Sequence, residues 1–151
     1  MSVVRIQTWE VNVPDGWMLK PGGETALHFE SPDQKLGCVV RALRLPAPRE
    51  TSRDAARFVQ EARQRSLQKS TERNWKTVEA SESMDGDLSR SLLVVIDDAR
   101  LHLLASAILS SNFEAIHLSL QDYYCVGYEE TRRTIEDIAM SMRRARGTAS
   151  N

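Results

Sequence analysis

The sequence has little of what would commit it to a specialised class of protein. Its 151 residues include only two cysteines, seven glycines and five prolines. This composition excludes a disulfide-stabilised scaffold and a low-complexity chain. The 41% hydrophobic and 27% charged residues are typical of an ordinary globular domain. Because a chain of this length can bury roughly two-thirds of its unfolded surface, we predict one domain over residues 1–147, with a frayed tail at 148–151.

The sequence also lacks an excess of charge of one sign and a long apolar run. Its 20 Lys and Arg balance 21 Asp and Glu, and a net charge of −1 provides no general field for nucleic acid or an anionic membrane. The longest uncharged stretch, residues 101–113, falls short of the roughly 20 apolar residues that span a bilayer. Glu10 interrupts any apolar signal segment near the start. We therefore expect a cytoplasmic protein that binds no nucleic acid and inserts into no membrane.

Motifs of catalysis and metal binding are missing as well. The sequence contains no GxSxG, HExxH, P-loop or GxGxxG pattern. Cys38 and Cys125 stand in no CxxC or Cys/His spacing, so we expect both to be buried apolar side chains in a reducing compartment. We expect no catalytic residue, no cofactor and no bound metal.

Hydrophobic periodicity and turn residues predict an α+β domain built on an antiparallel sheet of about seven strands. The predicted element order is β-β-β-α-β-β-β-β-α. The first strand carries an irregularity near Gln7 and Thr8, and the last three strands form a meander with short turns. Predicted strands cover residues 3–13, 26–30, 36–45, 75–83, 88–97, 100–109 and 114–121, and predicted helices cover 52–69 and 128–146.

Both predicted helices carry basic residues. In the first helix they lie opposite the apolar stripe, which indicates a solvated face or, alternatively, a patch for phosphate or an acidic partner. In the second helix they fall in the last turn, where cations interact favourably with the helix dipole. The first set is Arg53, Arg57, Arg63, Arg65 and Lys69, and the second is Arg143, Arg144 and Arg146.

The predicted meander has one face that forms the core. If Asp97 pairs with Arg100 and Leu109 with Glu114, the apolar side chains of neighbouring strands fall on the same face of the sheet. Arg90 is the one charged residue on this face, and we expect its stem to be buried and its head to reach water. The core face consists of Leu88, Leu92, Val94, Ile96, Leu101, Leu103, Ala105, Ala107, Leu109, Ile116, Leu118 and Leu120.

The opposite face of the meander mixes apolar and small polar side chains and requires a cover. Leaving its four large apolar residues in water would forgo roughly 6 to 12 kcal/mol, at roughly 1.5 to 3 kcal/mol each. The cover is either one of the chain's own helices or a partner, and the second alternative predicts a homodimer or a partner-binding groove. The predicted partner-binding residues are Leu93, Val95, Leu104, Ser106, Ile108, His102, His117 and Ser119.

His102 and His117 fall on this second face one strand apart, with Asp97 and Asp98 near the strand ends. Two imidazoles and a carboxylate are the groups that a metal or an acid–base site uses. A small enzyme or metal-binding protein is therefore an alternative hypothesis. We favour the interpretation that both histidines are polar members of a packed or partner-covered face.

Residues 11–17, Val-Asn-Val-Pro-Asp-Gly-Trp, resemble the start of the Mog1/PsbP-like superfamily, in which a first strand ends in a P-x-G/x-W turn. The length and the predicted element order are similar too. The resemblance implies that Pro14 and Trp17 are structural, turning the chain and closing one end of the core. Small bacterial members of the DUF1795 group include Eag-type chaperones, which shield hydrophobic segments of type VI secretion effectors. By this resemblance the chain is a non-enzymatic chaperone or adaptor whose partner is a secreted effector.

An immunity protein that blocks the active site of a bacterial toxin is the alternative. Such proteins are also small and free of catalytic motifs. Against a basic or metal-bearing cleft, an immunity protein would use acidic loop residues. The candidates for this toxin contact are Asp85, Asp87, Asp97 and Asp98.

Overall fold

The computed structural model describes residues 1–20, 25–69 and 72–146, so the predicted tail at 148–151 lies outside the described residues. The fold is α+β, as predicted. Two helices, α1 (Ser52–Gln68) and α2 (Tyr128–Ser141), pack with two antiparallel sheets. The strands are β1 (Ser2–Ile6), β2 (Trp9–Val13), β3 (Met18–Lys20), β4 (Ala26–Glu30), β5 (Leu36–Arg44), β6 (Lys76–Asp85), β7 (Leu88–Asp97), β8 (His102–Ser110), β9 (Glu114–Asp122) and β10 (Arg143–Arg144).

Seven strands form the large sheet, in the order β3-β4-β5-β9-β8-β7-β6, and β1, β2 and β10 form a small sheet. The predicted first strand is in fact the hairpin of β1 and β2. Ile6 pairs with Trp9, and the two residues between them form the turn, with Gln7 at φ 52°. The prediction of one continuous strand was wrong because the turn carries none of the Gly or Asn residues that usually mark a tight hairpin.

The register of the meander differs from the predicted one by two residues at each turn. Asp97 pairs with His102, and Leu109 pairs with Ile116. A shift of two residues keeps every side chain on its face, so the predicted core face is correct. Leu101 is the exception, because it lies in the turn before β8 with φ 53°.

The main core lies between the large sheet, the small sheet and α2. Trp9, Phe29 and Ile138 are each at most 1% exposed within it. Trp17 packs against Phe29, with ring centroids 5.7 Å apart, and its backbone N–H donates to the carbonyl of Pro14 at 3.2 Å. The turn between Pro14 and Trp17 therefore packs against the core through the Trp17 ring, which is partly buried.

Both cysteines are free and buried, as predicted, with Cys38 2% and Cys125 6% exposed. Burial raises the pKa of the Cys38 thiol, so it does not ionise near neutral pH. No helix in the described part of the chain is long and apolar enough to cross a bilayer.

The second helix is shorter than predicted. It ends at Ser141, and Arg143 and Arg144 form β10, which pairs with Glu10 and Trp9 of β2. The prediction that the C-terminal arginines complement the dipole of α2 was therefore wrong. Arg144 instead stacks on the Trp9 ring at 4.5 Å, so pairing with a distant strand overrides the local helical pattern.

The side chain of Arg90, a residue of β7, lies at the C-terminal end of α2. Its guanidinium donates to the carbonyl oxygens of Ala139 at 3.1 Å and Met142 at 2.9 Å, and it pairs with Asp85 at 2.7 Å. The side chain is only 12% exposed, so its head is largely withdrawn from the water that we expected it to reach. The arginine gives the carbonyl of Met142 a donor and adds a second donor to the carbonyl of Ala139, which also accepts from the backbone N–H of Met142 at 3.2 Å.

Candidate functional site

The predicted partner-binding face is covered by α1, which packs on β7 and β8. Leu93 and Leu104 pack with Leu67, and Ile108 packs with Ala56. The prediction that this face forms an open groove was wrong, and the alternative that the chain's own helix covers it was right. The argument for a homodimer that depended on this face no longer applies. Its buried residues are Leu93, Val95, Leu104, Ser106 and Ile108.

His102 and His117 do not converge on one site. His117 lies opposite Ile108 on β8, six residues along that strand from His102, which corresponds to about 20 Å. Among the described residues, no group of three or more His, Cys, Asp or Glu side chains is placed to hold a metal ion. This separation argues against the predicted alternative of a joint metal or acid–base site.

Each histidine has its own local partner. The His117 Nε2 atom lies 2.7 Å from the Ser106 Oγ atom, and the His102 Nε2 atom lies 3.2 Å from the Gln121 Oε1 atom. Burial lowers the pKa of both rings, and for His117 the nearby Arg63 contributes further and brings the pKa to about 4. Both rings are therefore neutral at pH 7.

The four acids predicted to contact a toxin do not form one surface. Asp85 and Asp87 flank the turn between β6 and β7, whereas Asp97 and Asp98 lie at the other end of β7. Ten residues of extended strand separate these ends by about 30 Å. Asp97 is also 3% exposed, with its carboxylate 3.6 Å from Arg73. The prediction that these four acidic residues form one toxin-contact site was therefore wrong.

The edge strand β6 is the strongest candidate for a binding site. In the part of the chain that the structure describes, it pairs with β7 alone, so the backbone groups along its other side have no strand partner. All of its ten residues except Glu79 are exposed. A bulge at Val78 disturbs the pairing at one end and leaves the stretch from Glu79 to Asp85 regular. Long exposed edges of this kind can pair with another chain.

On the side of α2, a charged contact holds β6 above a narrow groove. The Glu79 carboxylate accepts hydrogen bonds from Arg132 at 2.7 and 2.8 Å and from the Tyr128 hydroxyl at 3.0 Å. These bonds, chiefly those from Arg132, lower the pKa of Glu79. The adjoining groove has a volume of about 110 Å³, and its lining includes Ser81, Ser83, Leu92 and Met140.

On the side of α1, a second charged contact holds the same strand. Glu82 lies 3.0 Å from the Nε atoms of both Arg53 and Arg57, and hydrogen bonds from these arginines lower its pKa. The groove on this side has a larger volume, about 530 Å³, and its lining includes Gln60, Gln64 and Ala80. Both acidic residues in the middle of β6 are thus neutralised by helix arginines.

The arrangement suits recognition of an extended chain. A strand added to β6 would form main-chain hydrogen bonds, and its alternating side chains would point toward the two grooves in turn. The side chains of Ala80, Ser81 and Ser83 are small and leave both grooves accessible. The sequence predicted the strand itself but not its place at the edge of the sheet.

Comparison with solved structures finds the same fold in other proteins. The chain matches the solution structure of cyanobacterial PsbP (CyanoP) from Synechocystis sp. PCC 6803 with a TM-score of 0.66 and 12% identity, covering 92% of this chain and 88% of that one. It also matches a crystal structure from Bacteroides thetaiotaomicron VPI-5482 with a TM-score of 0.58 and 15% identity, covering 97% of this chain and 48% of that one. This chain thus spans about half the length of the second protein.

No protein-family model matches the sequence, and no curated protein matches it significantly. At 12% and 15% identity, structural similarity establishes the fold and not the function. The predicted Mog1/PsbP-like resemblance is therefore confirmed at the level of the fold, and the DUF1795 and Eag-type assignment stays a prediction.

Proposed function

We propose that this chain, with its PsbP-like fold, is a non-enzymatic protein-binding module that takes up an extended segment of a partner protein along β6. The observation that carries the proposal is the exposed edge of β6 between two grooves. Backbone pairing would provide affinity independent of sequence, and the grooves would select side chains.

The ion pairs around β6 support this role. An edge strand is normally protected from other chains by charged side chains or by a bulge. Here the bulge lies at Val78, away from the centre of the strand, and the charges of Glu79 and Glu82 are paired with arginines. An incoming strand would therefore meet an edge whose two central carboxylates are already paired with arginines.

The partner class follows from the grooves. The groove beside α2 is lined largely by apolar groups, including Leu92 and Met140, whereas the groove beside α1 presents amides and guanidinium groups. Glu61 and Glu82 also line the groove beside α1, and Glu82 pairs with both of its arginines, so a segment that alternates apolar with uncharged polar residues fits the two grooves. A chaperone or adaptor for a secreted effector is the narrower form of this proposal. In this form the protein binds an extended segment of its client, whereas the open groove predicted from the sequence would have bound an apolar helix.

Immunity toward a toxin stays an alternative within the same class of function. On this structure, the predicted homodimer would also form through β6, by pairing with the same strand of a second copy. Light scattering over a concentration range distinguishes self-association from binding to another protein.

Proline substitution tests the proposal. Along β6, successive backbone N–H groups point in turn toward β7 and toward the open edge. Of the two variants Ala80→Pro and Ser81→Pro, one therefore removes an N–H that points to the open edge and leaves the hydrogen bonds to β7 intact. We expect the variant that keeps wild-type stability to lose binding to the protein encoded beside this one, measured by calorimetry. Arg5→Gln, at an exposed position of β1 in the small sheet, is the control and should bind normally. Unchanged affinity of a fully stable edge variant would refute the proposal.

A further inference from the structure

The half of the large sheet that α1 leaves open contains a cluster of positive charge. Arg41 of β5 pairs in register with His117 of β9, and Ser119 lies two residues further along β9. The helix α1 contributes Arg63, whose Nη2 atom donates to the Ser119 hydroxyl at 3.2 Å. Arg41, Arg63, His117 and Ser119 therefore lie together on one face of the sheet.

The guanidinium of Arg63 is incompletely satisfied. It carries five N–H groups, and its single side-chain hydrogen bond among the described residues is the one to Ser119. The Nε atom is buried and has no partner. The buried Nε atom is closed to an external ligand, so an anion would bind the terminal nitrogens, of which Nη1 forms no hydrogen bond among the described residues. An acceptor there would complete the hydrogen bonding of the guanidinium.

Neither arginine of the cluster has a counter-ion. Within the described residues, Arg41 and Arg63 form no ion pair, whereas Arg53 and Arg57 of the same helix share Glu82. Burial lowers the pKa of Arg63, and the charge of Arg41 is close enough to lower that pKa further. Two like charges held together without a carboxylate create a local positive field.

We propose that Arg41, Arg63 and the hydroxyl of Ser119 form a binding site for a dianionic oxyanion, either inorganic phosphate or the phosphate of a monoester. Two guanidinium groups match the charge of a dianion and offer planar N–H pairs to its oxygens. The Ser119 hydroxyl adds a further polar contact. This site goes beyond the proposed strand-binding function, because it lies on the opposite half of the sheet from β6.

His117 provides a reporter for the bound anion. Its ring lies next to the cluster and is held neutral partly by the charges of Arg63 and Arg41. An anion that offsets those charges makes protonation of the ring easier. Binding should therefore raise the pKa of His117. General screening by dissolved salt would affect many residues and would not act on this ring in particular.

The experiment uses the full chain and inorganic phosphate at constant ionic strength, followed by NMR of the Ser119 amide and the His117 ring. We expect saturable shifts at both positions at pH 7, where much of the phosphate is dianionic. The titration of His117, whose pKa is about 4, is run in sulfate, a tetrahedral oxyanion that stays dianionic at that pH, and we expect a higher pKa than in the absence of the anion. Arg41→Gln should weaken binding by about tenfold or more, and because Arg41 is exposed the variant should fold. Arg65→Gln removes an exposed charge from the same helix and should change binding less than about twofold.

O-phosphoserine in place of inorganic phosphate distinguishes the two sources of the ligand. Tighter binding of O-phosphoserine assigns the site to a phosphate monoester, and tighter binding of inorganic phosphate assigns it to the free ion. The proposal is overturned if neither compound gives saturable shifts at tens of millimolar, or if Arg41→Gln and Arg65→Gln weaken binding equally.

Discussion

The guanidinium of Arg90 donates a 2.9 Å hydrogen bond to the carbonyl of Met142, the residue at which α2 gives way to β10. A second bond reaches Ala139 at 3.1 Å, so a strand residue satisfies the end of a helix that packs across the core. The contact couples β7 of the large sheet to the segment that enters the small sheet.

Loss of this contact should destabilise the protein. Arg90→Met keeps the apolar stem and removes the charged head, so the carbonyl of Met142 loses this donor and the carbonyl of Ala139 keeps only the backbone N–H of Met142. We expect the free energy of unfolding to fall by about 2 to 3 kcal/mol, measured by urea denaturation. Arg65→Met, on the exposed face of α1, is the matched control and should stay within about 0.5 kcal/mol of wild type. Equal stability of the two variants would contradict the assigned role.

Shortening a side chain beneath α1 should affect stability even in the isolated protein. Leu104 is 4% exposed and packs against Leu67. We expect Leu104→Ala to lower the free energy of unfolding by about 2 to 5 kcal/mol, as measured by thermal or urea unfolding of the purified protein. Val126→Ala, at a residue 70% exposed, should have almost no effect. A small loss at Leu104 would revive the idea that a partner covers this face.

His117 should make the protein sensitive to mild acid. Its pKa is about 4 in the folded state, against about 6.5 in the unfolded chain. As the pH falls through this window, the unfolded state takes up a proton that the folded state does not, so stability declines. The loss attributable to His117 is about 3 kcal/mol. Urea unfolding of His117→Gln between pH 7 and pH 4 should show a flatter decline than wild type, and parallel curves would contradict the assignment.

The contact between Glu79 and Arg132 should couple the edge strand to α2. Both side chains are partly buried, and the pair is joined by two hydrogen bonds. A double-mutant cycle of Glu79→Gln and Arg132→Gln should give a coupling energy of about 1 kcal/mol. Because these hydrogen bonds, chiefly those from Arg132, lower the pKa of Glu79, this contribution is present at neutral pH and is lost as the pH falls through that lowered pKa. A coupling energy near zero at pH 7 would show that the pair does not fix the edge.

Much of the sheet could be predicted because side chains alternate along a strand. The predicted pairing of Asp97 was two residues from the observed one, yet the residues within the strands were assigned to the correct faces, since alternation repeats every two residues; Leu101, in the turn, is the exception. The alternation of side chains could not identify what covers the second face of the meander. It shows that Leu104 needs burial, but not whether α1 or another chain supplies it.

Other features depend on contacts distant in sequence. The basic residues after Ser141 continue a plausible helix, and only pairing with β2 turns Arg143 and Arg144 into a strand. The candidate site depends on strand order, because β6 is exposed at one edge only through the arrangement of six other strands. The local pattern of apolar and polar residues contains no information on the order of the strands in the sheet.

The small sheet has a consequence for how the protein is made. The backbone N–H of Asn12 in β2 donates to Ser141, 129 residues later in the sequence, and Trp9 and Val11 are buried beside α2. During synthesis the β1–β2 hairpin leaves the ribosome long before the segments that cover it. Its tryptophan therefore stays exposed on the nascent chain until the C-terminal helix emerges, and this end of the molecule is completed last.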